Sequence, residues 1–304
     1  PGMHMLTAVQ GDVRRTVRVM ATEGNGGANL LYIGGSERAM PKSDRVLFTW
    51  TSGDELRYIG YATSGGVLHS AAIDEVPVTS ATRTFVMVAG ATCPDAPTIT
   101  DIDGNVYSTV QIGSQCWMAG NLRASQDRDG NPIPSVTDNI AWSQLSTAAW
   151  GNYGNDPAND AIYGKLYNWY AAANPALCPQ GWHVSTEAEW QQLELFLGMP
   201  AAEVNTIGVR GVAEGVGGLL KATQLWNAVN AGATNGTGFT GLPGGYRFSS
   251  TGSFDGLGTS GTWWTATESG PQNAFSRALF FSSTGVDRVN SSKRPGFCVR
   301  CVRD

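Results

Sequence analysis

Thr186-Glu187-Ala188-Glu189-Trp190-Gln191-Gln192-Leu193-Glu194-Leu195-Phe196-Leu197 is the stretch on which the fold of this chain turns. Thr186 and Glu189 have the spacing of a capping box, in which each side chain satisfies a backbone N–H that the first helical turn leaves free. Trp190, Leu193 and Leu197 follow at helical spacing, so a helix is predicted from Thr186 onward. Upstream, another helix is predicted over Gly164 to Ala173, with Leu166, Trp169 and Tyr170 on one face. Asp101-Ile102-Asp103-Gly104-Asn105-Val106-Tyr107 reads as a turn flanked by strand residues, and a strand then runs toward Cys116-Trp117-Met118. From Gly232 onward Gly, Thr and Asn dominate, with aromatics set among them and no helical period. Residues 98 to 304 therefore read as a mixed α+β domain with two helices and a long, irregular, glycine-rich half.

Composition fits that picture. The 304 residues are 41% hydrophobic but only 15% charged, with 39 Gly and 10 Trp. Such a chain is long enough for two domains and suggests a loop-rich fold pinned by aromatics, not a helical bundle. The net charge of −5, with no Lys/Arg run, argues against a nucleic-acid partner. No apolar stretch approaches the length that spans a bilayer, so no direct membrane insertion is expected. Residues 1 to 10 are expected to be a flexible start, with Pro1-Gly2-Met3-His4-Met5 derived from a vector and a native leader or anchor removed.

Residues 11 to 92 read as β. Thr16-Val17-Arg18-Val19, Val46-Leu47-Phe48-Thr49-Trp50 and Thr84-Phe85-Val86-Met87-Val88 alternate, and the turn clusters 24–27, 52–54 and 64–66 separate them. This pattern predicts a small all-β sandwich, immunoglobulin-like or fimbrillin-like, serving as spacer or anchor. Cys93-Pro94-Asp95-Ala96-Pro97 is expected to be a stiff linker, since its prolines fix backbone angles.

Several blocks then occur in order: Asp103-Gly104-Asn105-Val106-Tyr107; Gln115-Cys116-Trp117-Met118-Ala119 with Asn121-Leu122-Arg123; Tyr163-Gly164-Lys165-Leu166-Tyr167-Asn168-Trp169-Tyr170; Cys178-Pro179-Gln180-Gly181-Trp182-His183-Val184; Gly241-Leu242-Pro243-Gly244-Gly245-Tyr246-Arg247; and Val299-Arg300-Cys301-Val302-Arg303-Asp304. Together they resemble the Fibrobacter succinogenes major paralogous domain over nearly all of residues 98 to 304. The resemblance implies an α+β C-type-lectin-like fold related to the formylglycine-generating enzyme, and it does not reach residues 1 to 92.

One departure from the family pattern points to function. The segment before the last strand, usually a run of Asn and Tyr, is mixed here between Ser269 and Cys298, while Trp263-Trp264, Thr267-Glu268, Lys293-Arg294 and Gly296-Phe297 stay in pattern. A scrambled interior within regular borders resembles the variable region of diversity-generating retroelement proteins, which vary adenine-containing codons. The variable segment is placed at 263–298. Its ligand-binding positions are expected to be Ser269, Pro271, Ala274, Phe275, Ala278, Phe280, Phe281, Ser282, Ser283, Gly285, Asp287, Val289, Asn290, Ser291, Ser292 and Pro295. Phe275, Phe280, Phe281, Asp287, Arg288 and Asn290 give it aromatic anchors among adaptable polar groups, the composition of a versatile paratope.

Other candidate chemistry is weighed against plainer readings. Cys298-Val299-Arg300-Cys301 has CxxC spacing, but in a strand residues three apart face opposite sides. The family pattern implies Cys178 paired with Cys301, as in long-range lectin-type bridges, with Cys298 free and Cys93–Cys116 a secondary pairing. Asn155 to Asp160 gathers oxygen ligands and reads first as a turn with a helix cap; a structural calcium held by Asp156, Asn159 and Asp160 is the alternative. The loops beginning at Asp101 and Asp127 read as hairpin turns. His183 reads as a packed, hydrogen-bonded core histidine. Trp117, Trp169, Trp182, Trp190 and Trp226 are assigned to the core, and one of Trp263 and Trp264 is expected to face the binding surface.

Two functional classes follow. The first is a non-enzymatic display protein, extracellular or on a cell or virion surface. It would need no cofactor and would bind a protein or glycan ligand on another cell or particle. The alternatives are a formylglycine-type oxidase using Cys298 and Cys301, or a non-diversifying structural surface protein.

Overall fold

The computed structural model describes residues 2–10, 13–21, 56–64, 67–75, 88–89 and 92–304. The chain divides into two compact units, Pro1–Gly90 and Ala91–Asp304.

In the first unit β1 (Gly2–Gln10) pairs antiparallel with β2 (Val13–Ala21). The three-stranded sheet is β3 (Leu56–Ser64), β4 (Val67–Glu75) and β5 (Val88–Ala89), also antiparallel. Residues 2–10, expected to be a flexible start, are thus a full strand, because every residue from Gly2 to Gln10 finds a partner in β2. The alternation at Thr16–Val19 falls inside β2 as read. The predicted strand at 46–50, the turns at 24–27 and 52–54, and residues 84–87 lie outside the described residues.

The second unit is β-rich with short helices. Its elements are β6 (Thr98–Thr100), β7 (Val106–Ile112), β8 (Gln115–Met118), α1 (Asn139–Ser143), β9 (Trp150–Gly151), α2 (Ala158–Tyr163), β10 (Leu166–Tyr167), α3 (Trp169–Ala172), β11 (Trp182–Val184) and α4 (Glu187–Phe196), followed by β12 (Gly208–Arg210), α5 (Val216–Leu220), β13 (Gly244–Arg247), β14 (Phe254–Leu257), β15 (Ser260–Gly270), β16 (Asn273–Phe280), β17 (Val286–Ser292) and β18 (Cys301–Arg303). Its two larger sheets have the orders β11-β18-β8-β7-β6 and β12-β17-β16-β15-β13-β14, and β9 and β10 form a small two-stranded sheet.

Local chemistry explains the starts and stops. The Thr186–Glu189 capping box closes the N-terminus of α4 as predicted. The turn before β7 is held by Asp101, whose carboxylate accepts from the Asn105 backbone N–H (2.9 Å) and from the Tyr107 hydroxyl (2.5 Å). The helix predicted over Gly164–Ala173 is a correction. Leu166 and Tyr167 pair with β9, and only Trp169–Ala172 is helical. Gly164 sits at φ 76°, where an added Cβ would lie 2.7 Å from Asn121 Cβ, and Asn168 starts the helix by accepting from the Ala171 N–H. The glycine-rich half is less irregular than read, since six strands cross it.

Two buried clusters form the core. One gathers Tyr107, Met118, Tyr167, Trp182, Trp264, Phe297 and Cys301, and the other Trp117, Trp190, Leu193, Phe239, Trp263, Leu279 and Val302. Consecutive residues of β8, β15 and β18 alternate between them, so these strands are buried on both faces. The expected linker at 93–97 belongs to this unit. Cys93 is buried and disulfide-bonded to Cys116, the Thr109 hydroxyl donates to Ala96 O, and Arg303 donates to Pro94 O.

Candidate functional site

The segment singled out in the sequence forms the antiparallel run β15–β16–β17 and its two turns. Pro271, Ser282, Asn290 and Ser292 are exposed; Ser269, Phe275, Phe280, Phe281, Ser283, Asp287, Val289, Ser291 and Pro295 are partly so. Ala274, Ala278 and Gly285 are buried, which corrects their placement on a binding surface. Ala274 lies in the Trp264 cluster. A Cβ on Gly285 would lie 2.6 Å from Arg210 O and 2.8 Å from the Val209 and Val212 side chains.

Register divides the positions between faces. Phe275 pairs with Asn290 and Asn273 with Ser292, whereas Ala274 pairs with Ser291, Ser276 with Val289 and Ala278 with Asp287. In a strand these two sets point to opposite sides. The positions thus occupy two faces and two turns rather than one continuous patch. Burial raises the Asp287 carboxyl above its ordinary range.

Arg277 and Arg288 pair with each other on the same side of the strands as Phe275 and Asn290, and there they build a buried ionic frame. Arg277 bonds Glu194 (2.6 Å) and Glu187 (2.8 Å), Arg210 bonds both Glu194 oxygens (2.9 Å each), and Arg288 bonds Glu187 (2.7 Å) and Asn205 O (2.8 Å). Burial alone would raise the Glu187 carboxyl, but Arg277 and Arg288 hold it below its ordinary value. Arg288, expected among the adaptable groups of the surface, is instead buried frame, with its guanidinium over the Phe275 ring at 4.2 Å. The frame ties β12, β16 and β17 to α4, and a carboxylate left here without its partner would carry a large desolvation penalty.

Further buried arginines knit the loops. Arg300 donates to Asn121 Oδ1, Met118 O, Phe239 O and Thr240 O, and burial pushes it down to about 9. Arg247 donates to the carbonyls of Val136, Thr137, Asp138 and Gly252. Both residues stand in the quoted family blocks, but nothing local marked them as buried donors; for Arg247 an isolated Arg in an uncharged stretch was the available signal.

The remaining candidates resolve as follows. Cys178–Cys301 and Cys93–Cys116 are bonded, and Cys298 is free and buried, its thiol pushed up to about 12 by burial. Cys298 and Cys301 belong to different core clusters and are not brought together as a pair. Asp156 caps the turn into α2, Asn159 donates to Tyr153 O, and Asp160 is bonded to Arg123 and Lys165, so the three do not converge on one point. Among the described residues no group of three or more His, Cys, Asp or Glu could hold a metal ion. His183 is hydrogen-bonded as read but only half-buried; it bridges Glu189 (2.8 Å) and Asp304 (2.6 Å). Trp263 and Trp264 are both fully buried, which corrects the expectation that one faces outward.

The sequence profile of the Fibrobacter succinogenes major domain matches residues 110–303. No curated protein and no solved structure matches the chain. The two disulfides fit folding in an oxidising compartment. Among the described residues no helix is long and apolar enough to cross a membrane.

Proposed function

Because the chain belongs to the Fibrobacter succinogenes major domain family, with residues 110–303 matched, we propose that its second unit is a C-type-lectin-like display domain. In this reading it is the variable protein of a diversity-generating retroelement, binding a protein or glycan ligand on another cell or particle. The first unit is its immunoglobulin-like spacer, and the site of action is extracellular. One observation carries the reading. Along β15–β17, runs locked into core or ionic frame, such as 276–279, adjoin stretches with solvent access, such as 266–273 and 289–292, so the accessible side chains can change at little cost to stability. Phe275 and Phe280 supply aromatic contact area among serines and Asn290, a mixture suited to binding varied partners. The formylglycine-type alternative would need Cys298 and Cys301 as a pair, which their bonding here does not supply.

The test is a chain in which Ser269, Pro271, Ser282, Ser283, Val289, Asn290, Ser291 and Ser292 are replaced together. Its melting is expected to stay cooperative and within a few degrees of the parent, while binding to cells that retain the parent is lost. Unfolding of that variant would make the segment core and sink the reading.

A further inference from the structure

Lys221 follows α5 and is fully buried, yet it forms no ion pair among the described residues. Its ammonium donates instead to Phe280 O (3.0 Å) and Ser283 O (2.8 Å), with the Trp226 ring 5.5 Å away. Phe280 is the last residue of β16, and Ser283 lies in the turn joining β16 to β17. Two other carbonyls of that turn are also taken from outside it: the Ala231 N–H donates to Phe281 O (2.7 Å) and the Gly218 N–H to Thr284 O (3.1 Å). Close approach of α5 requires its glycines. A Cβ on Gly217 would lie 2.0 Å from Gly285 O, and one on Gly218 2.2 Å from Gly232 O.

The opposite turn, joining β15 to β16, has a matching arrangement. Lys293 is buried against Trp169 (4.4 Å), donates from Nζ to Pro271 O (3.0 Å) and from its backbone N–H to Gln272 O (3.1 Å), and pairs with Glu268 (2.5 Å). In both turns the lysine grips main-chain oxygen, which every residue type presents. A clamp of this kind fixes the path of the chain and leaves the side chains free to change.

We propose that Lys221 and Lys293 are positioning residues that hold the two turns of the display segment through its backbone, making the segment's conformation independent of its side-chain sequence. The proposal rests on the display reading for its purpose, but not for its geometry.

Hydrogen exchange on the full chain tests it with Lys221→Met and Lys293→Met, each of which keeps the apolar stem. Protection is expected to fall about tenfold or more, as for a lost hydrogen bond to a charged donor, over 281–285 in the first variant and over 271–275 in the second. Residues 182–184 and 301–303 should keep the parent's protection, and Lys293→Arg, which retains a donor, should restore the second turn. Unchanged exchange, or a loss spread evenly over the domain, would overturn the clamp. Should Lys221→Met fail to fold, the Lys293 pair decides alone. Localised loosening in a chain whose gene proves invariant would uphold the clamp and remove the display reading.

Discussion

Trp263 and Trp264 are neighbours in β15, both with no exposed surface, and they serve different cores. The Trp263 indole N–H donates to Asn121 Oδ1 (2.8 Å), and that of Trp264 to Tyr167 O (2.8 Å). The strand that opens the variable segment is therefore anchored from both sides before it reaches the accessible stretch that begins at Ala266. Truncation at either indole should cost about 3–5 kcal/mol, the range for large aromatic-to-Ala changes in a core. Equilibrium urea unfolding of Trp263→Ala and Trp264→Ala checks this, with Ser292→Ala expected within about 0.5 kcal/mol of the parent. A small loss at either tryptophan would contradict the two-sided anchoring.

The cysteine arrangement predicts a thiol count. Cys298 is buried with its thiol pushed up to about 12, and the other four cysteines are bonded. A thiol reagent at neutral pH should label none in the native chain and one after denaturation without reductant. Two reactive thiols in the native chain would instead revive a Cys298–Cys301 redox pair.

His183 predicts a pH dependence. Its hydrogen bond to Glu189, aided by Asp304 and opposed by burial, raises it from 6.5 to about 9. A histidine raised on folding contributes stability that is fully present below pH 6.5 and is lost as pH rises through about 9. The side chain is 32% exposed, so solvent screening limits the effect to about 1 kcal/mol or less, or about 2–4 °C in a domain of this size. Melting curves between pH 6 and 9.5 should fall more steeply for the parent than for His183→Asn. Equal slopes would show that the two carboxylates do not hold the imidazolium.

What the sequence disclosed follows the range of the interactions concerned. Thr186 and Glu189 are three residues apart, and their capping box was legible because both partners lie in one turn. The Asp101 turn was legible for the same reason. The Gly164–Ala173 helix failed because Leu166 and Tyr167 pair with β9, and an apolar pair reads alike in either state. The β15–β17 segment was found from its departure from pattern, but its faces were not. Arg277 finds Glu194 across 83 residues and Arg288 finds Glu187 across 101, so nothing local marked Arg288 as frame. Ala274 and Ala278 resembled the exposed serines because their burial depends on what packs over the sheet.

The most direct measurement is sequencing of the gene's 3′ end and its flanks across a population. A nearby copy of the segment is predicted, differing only where the copy has adenine. Changes should fall on accessible positions such as Ser269, Ser282, Asn290 and Ser292 and spare Arg277, Arg288, Lys293 and the buried Ala274, Ala278 and Gly285. An invariant segment with no such copy, or variation concentrated on the buried frame, would contradict the account.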